Sequence, residues 1–72
     1  MEKQYITVNG EQKEMPESGL LKDVVELYGE GIEKDLYLAK VNGEIIHSLI
    51  NGTDTVIKAG DNIELFALVV GG

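Results

Sequence analysis

The tetrapeptide Val8-Asn9-Gly10-Glu11 recurs as Val41-Asn42-Gly43-Glu44. Asn-Gly is the strongest two-residue hairpin signal, because both central residues of a type I′ turn need positive φ. Each copy follows an alternating or apolar stretch, so two β-hairpins are expected. Four shared residues do not imply a duplication, since a turn tetrapeptide also recurs by chance.

The first hairpin is expected over about Lys3 to Val8 and Glu11 to Met15. Ile6 and Val8 would share one face of its first strand, Tyr5 and Thr7 the other. The second strand carries Lys13 and Glu14, which suits a sheet edge, and Pro16 stops it. From Ser18 to Tyr28 the period changes. Leu20, Leu21, Val24, Val25, Leu27 and Tyr28 fall on one wide helical stripe, with Ser18 as the expected N-cap and Gly29 as the C-terminal stop. About ten residues make a marginal helix alone, so this one must pack on a sheet.

Leu36 to Val41 and Glu44 to Ile46 form the second expected hairpin. Residues 47–61 read mostly as connection, with turns at Asn51-Gly52 and Gly60-Asp61 and a small apolar anchor at Val56-Ile57. The last strand is expected from Asn62 to Val70. Ile63, Leu65, Ala67 and Val69 would share one face, and Glu64, Phe66, Leu68 and Val70 the other. Apolar residues on both faces place this strand in the middle of a sheet or under a partial cover. Helix and sheet each have one apolar face, so the two pack as layers. Closure then sets the last strand beside the first and parallel to it. The expectation is a single α+β domain over residues 1–72, with a mixed sheet of four to five strands on one main helix: the ubiquitin-like β-grasp arrangement.

Composition narrows the function. Six Lys, no Arg and 13 carboxylates give a net charge of −7. That balance argues against nucleic acid, whose phosphates need a basic stripe. It fits either a partner with a basic docking surface or a surface kept acidic for solubility. Absence of cysteine removes disulfides, thiolate metal sites and a cysteine nucleophile together. The longest apolar run, Leu65 to Val70, is far below the roughly 20 residues needed to span a bilayer. The opening residues show no secretory signal, so a soluble cytoplasmic protein is expected, with no membrane partner.

Catalysis finds no foothold. His47 is the one imidazole, and adjacent Ser48 would point the opposite way in an extended chain, so a nucleophile–base pair is not expected. A solvent-facing loop histidine is the simpler reading. Asp54 and Asp61 lack calcium-loop spacing. Gly29-Glu30-Gly31 lacks the third glycine and the following helix of a phosphate loop. No bound metal or cofactor is expected.

What remains is the terminus, Val69-Val70-Gly71-Gly72. Two residues without Cβ make a thin, flexible tail able to enter a channel closed to side chains. It would deliver one reactive function, the α-carboxylate of Gly72. Adenylation by ATP would turn a carboxylate oxygen into a leaving group, and this chain lacks the phosphate cradle for that step. A separate enzyme must supply it. Phe66, Leu68 and Val70 would line the face of the final strand away from the helix and lead toward the tail, an apolar strip suited to docking unless residues 47–61 fold over it.

Val41-Asn42-Gly43-Glu44-Ile45-Ile46, then Gly60-Asp61-Asn62-Ile63-Glu64-Leu65, then Val70-Gly71-Gly72, resemble the ThiS/MoaD family of sulfur-carrier proteins. The helix from Leu20 to Tyr28 and the opening Ile6 to Glu11 fit as well, so the resemblance spans nearly the whole chain. It implies a β-grasp carrier that is not itself an enzyme. An E1-like enzyme, using ATP, would adenylate the terminal glycine. Sulfur from a cysteine desulfurase or rhodanese-type donor would make it a thiocarboxylate, and a client synthase would receive the sulfur. By motif, Gly72 would carry the sulfur and Gly71 would thread the channel.

Short length and the Val41–Ile46 stretch look more like the thiamine branch, whose client is thiazole synthase. The molybdopterin branch, the small subunit of molybdopterin synthase, often has prolines where this chain has Ala67, Leu68 and Val69. The chain also departs from the thiamine pattern, with neither Arg nor Trp after the fourth strand. Two readings from other classes stay open: a ubiquitin-like modifier conjugated through Gly72, and a plain β-grasp binding module with an incidental diglycine.

Overall fold

The computed structural model describes residues 3–33, 35–52 and 54–67. Its strands are β1 (Tyr5–Val8), β2 (Glu11–Glu14), β3 (Tyr37–Val41), β4 (Glu44–His47) and β5 (Asn62–Ala67); its helices are α1 (Leu21–Tyr28) and the single turn α2 (Ser48–Asn51). The sheet order is β2-β1-β5-β3-β4. β5 runs parallel to β1 and antiparallel to β3, and the two hairpins are antiparallel. This is the expected α+β β-grasp, with the last strand in the middle.

Both hairpins turn as the sequence requires. Asn9 and Asn42 hold φ of 50° and 54°, and Gly10 and Gly43 follow at 85° and 87°. The core lies between α1 and one face of the sheet. Ile6, Val8, Tyr37, Ala39, Ile46, Ile63 and Leu65 supply the sheet side, and Leu21, Val24 and Val25 the helix side. Ile57 closes the end of this core at 2% exposure, so the apolar anchor expected at Val56-Ile57 is half right: Val56 is exposed.

The start of α1 corrects one expectation. Ser18 is not the N-cap; that position is Leu20, extended at φ −108°, ψ 139°, with no side-chain cap. Ser18 Oγ instead accepts from Leu20 N at 3.2 Å and donates to the Asp23 carboxylate. One helix-end donor is satisfied by distant backbone: Leu21 N donates to Thr55 O at 2.8 Å, and the neighbouring bond from Ile57 N to Gly19 O at 2.9 Å holds the same segment in place. Serving the helix end with main-chain groups answers the same need as a side-chain cap. Gly29 does end α1, but not by a left-handed turn. A Cβ there would meet Val25 O at 2.7 Å, so close approach selects glycine.

The connection 47–61 also holds more structure than expected. His47 is the last residue of β4 and half-buried, not a solvent-facing loop residue, and its Nδ1 accepts from Leu49 N at 3.2 Å to cap α2. Asn51 Oδ1 returns to accept from His47 N at 2.8 Å. Ser48 points the other way, buried, where its Oγ accepts from Tyr37 N at 2.9 Å and donates to Asp35 O. The expected separation of His47 and Ser48 stands.

Tyr37 is fully buried, and its hydroxyl has no hydrogen-bond partner among the described residues. Burying a hydroxyl without a partner costs about 1–3 kcal/mol. Tyr37→Phe is therefore expected to stabilise the fold by about 1 kcal/mol, read as a higher urea midpoint at unchanged slope. Burial, reinforced by the Asp35 and Asp54 carboxylates, pushes the Tyr37 phenol above its ordinary value. The unfolded chain then ionises first as pH rises past about 10, so stability falls with pH there, and Tyr37→Phe is expected to flatten that decline.

Candidate functional site

The apolar strip expected on the final strand begins at Phe66. Ile63 and Leu65 point into the core, and Asn62, Glu64 and Phe66 point away from α1. Phe66 is 40% exposed. Directly across the strands, Phe66 pairs with Leu38 and Leu38 with His47, so these three share the open face. Ile45, on the same face, is also exposed. Residues 55–57 run along the start of α1, and Ile57 enters the core. Leu68 and Val70, expected to continue the strip, and Gly71 and Gly72, expected to thread and to react, lie outside the described residues.

What the structure adds is the way the root of that tail is held. Both asparagines of the repeated tetrapeptide reach sideways onto β5. Asn42 N donates to Asn62 O at 2.8 Å, and Asn42 Oδ1 accepts from Asn62 N at 2.9 Å. Its amide nitrogen donates to Asp61 Oδ1 at 3.0 Å, while Asp61 Oδ2 accepts from Lys58 N at 2.8 Å. From the other flank, Asn9 N donates to Ile63 O at 2.8 Å and Asn9 Oδ1 accepts from Leu65 N at 2.9 Å.

A turn asparagine is thus also a clamp. Sequence reasoning gave Asn9 and Asn42 a turn role alone; the only available hint of the second was that both copies chose Asn-Gly over other turn pairs. Together with the ladder to β3, the clamps fix Asn62 through Leu65 from both sides. Five residues beyond Ala67 can extend at most about 18 Å.

Among the described residues no group of three or more His, Cys, Asp or Glu side chains could hold a metal ion. No helix among them is long and apolar enough to cross a membrane.

A β-grasp domain with an anchored last strand and an apolar open face defines a class of small carrier and modifier proteins. The ThiS family model matches residues 4–72, and the chain belongs to the ThiS family. Members of that family are small sulfur carriers and not enzymes. No curated protein and no solved structure matches the chain.

Proposed function

We propose that this chain carries sulfur as a thiocarboxylate on Gly72 and delivers it to thiazole synthesis in thiamine biosynthesis. An E1-like adenylyltransferase joins the Gly72 carboxylate to AMP, with release of pyrophosphate from ATP. The outer sulfur of a persulfide on a cysteine desulfurase or rhodanese-type donor then attacks the acyl carbon and displaces AMP. A thiol cleaves the resulting acyl disulfide, leaving the thiocarboxylate on Gly72 and a disulfide on the thiol side. Gly71 threads the enzyme's channel, and Phe66, Leu68 and Val70 dock the carrier. ATP is a substrate of the activating enzyme, not a ligand of this chain, and such chemistry belongs in the cytoplasm.

The observation that carries this reading is the family match, which runs through Gly72. The clamped β5 supports it physically, because a rigid root lowers the entropy lost when a short tail is ordered in a channel. The stretch Val41 to Ile46, and Ala67 where molybdopterin carriers often have proline, favour the thiamine client.

Intact-mass spectrometry tests the chemistry. Incubation with the E1-like enzyme, ATP and a sulfur donor is expected to add the increment for exchange of one oxygen by sulfur. Conjugate ladders without that increment would establish a protein modifier instead. Transfer of the sulfur to thiazole synthase, and not to the large subunit of molybdopterin synthase, is the expected outcome for the client.

A further inference from the structure

A parallel ladder gives each residue of one strand two partners on the next. Asn9 sits opposite the gap between Ile63 and Leu65, donating to Ile63 O from its backbone and accepting from Leu65 N through its side chain. Had β1 continued, the residue two further on would have bonded Leu65 O and Ala67 N in the same way. It cannot, because Asn9 and Gly10 turn the chain back at positive φ and Glu11 pairs with Val8 instead. β5 nevertheless continues to Ala67, paired with β3 on its other side. Among the described residues, Leu65 C=O and Ala67 N–H therefore face an edge with no strand beside it.

The other two edges of the sheet are partly blunted. At β4 the Asn51 side chain occupies His47 N–H. At β2 the edge is charged, with Lys3 bonded to Glu14 at 3.0 Å and Lys13 near Glu11 at 3.4 Å. Charge and side-chain plugs are how sheets blunt their edges. The short edge of β5 has neither, and it lies at the root of the tail.

We propose that the edge of β5 at Leu65–Ala67 receives one extended strand of the activating enzyme, lengthening the sheet past the end of β1. This rests on the carrier reading above. One residue of the added strand would donate to Leu65 O and accept from Ala67 N–H, taking the place that β1 gives up. Main-chain pairing of this kind supplies affinity, and the flanking side chains supply selection. On one side the added strand meets Phe66. On the helix side, next to Asn9, lies an open groove of about 510 Å³ whose lining includes Val8 and Leu27 and the carboxylates of Glu11, Glu26 and Glu30 against Lys13. The net charge of −7 suits an incoming strand that carries Lys or Arg. A second copy of this chain, equally acidic, does not fit.

Ala67→Pro removes the N–H that no neighbouring strand uses, in a position where an edge strand tolerates proline. The variant is expected to keep its unfolding midpoint and to bind the activating enzyme about ten-fold more weakly. Ala67→Val, which keeps the N–H, is expected to bind like the parent. In hydrogen exchange on the full chain, the Ala67 amide is expected to gain protection when the activating enzyme is added. Unchanged affinity of Ala67→Pro, or an Ala67 amide that stays unprotected in the complex, overturns the proposal while leaving the carrier function standing. Protection that appears in the free protein at high concentration overturns it in favour of self-pairing. A parent chain that the enzyme never adenylates overturns the carrier reading itself.

Discussion

Amidation of Gly72 is expected to abolish adenylation, and one extra alanine after Gly72 to reduce it by at least about two orders of magnitude. The amide has no oxygen nucleophile with which to attack ATP, so nothing remains to activate. The added alanine keeps a carboxylate but places a Cβ in a channel that fits glycine; a single added methyl group already costs about 10–200-fold where a pocket is shaped against it. Pyrophosphate release under the E1-like enzyme measures both. Neither change touches the core, whose last member among the described residues is Leu65, so the unfolding midpoint is expected to hold. An amidated chain that still releases pyrophosphate at the parent rate would falsify the assignment of Gly72.

The second large effect is on stability. Ile63 is fully buried, opposite Val8 on β1 and Val41 on β3. Ile63→Ala removes three carbons from the centre of the core, and such truncations cost about 2–5 kcal/mol. A chain of 72 residues is held by only about 4–11 kcal/mol in all. The variant is expected to lose a large share of its stability, with a denaturant midpoint lowered to match. A loss under about 1 kcal/mol would mean that β5 is not the strand around which the core closes.

The parts of this fold that were legible in the sequence are those where one residue type answers one local demand. Asn-Gly forces a left-handed pair, so both hairpins could be placed to the residue. The helical spacing of Leu21, Val24 and Val25 marked the face that packs. Apolar side chains on both sides of the expected strand Asn62 to Val70 mark it as central. What escaped is long-range or very short. Ser18 looks like a cap because its own neighbourhood fits one, yet the Thr55 carbonyl, brought in from across the fold, takes the Leu21 N–H at the helix end. α2 is one turn, too short for any period, and its cap is a histidine side chain that the sequence offered as solvent-facing. The clamping role of Asn9 and Asn42 depends on β5 arriving between them from the far end of the chain.

The candidate site divides along the same line. Phe66 was read correctly as facing away from the helix, since alternation fixes it. Its companions on the open face, Leu38, Ile45 and His47, follow from cross-strand register, and nothing local to their own sequence announces it.

The central strand is also the last of the described strands in chain order. Until residues 62–67 have left the ribosome, β1 and β3 have no strand between them, and Ile63 and Leu65 are missing from the interior. A truncated product that stops short of β5 therefore stays open and is exposed to proteolysis. Molecules that survive to meet a partner are those in which translation ran on past the middle of the sheet, so quality control and readiness for work are settled by a single event.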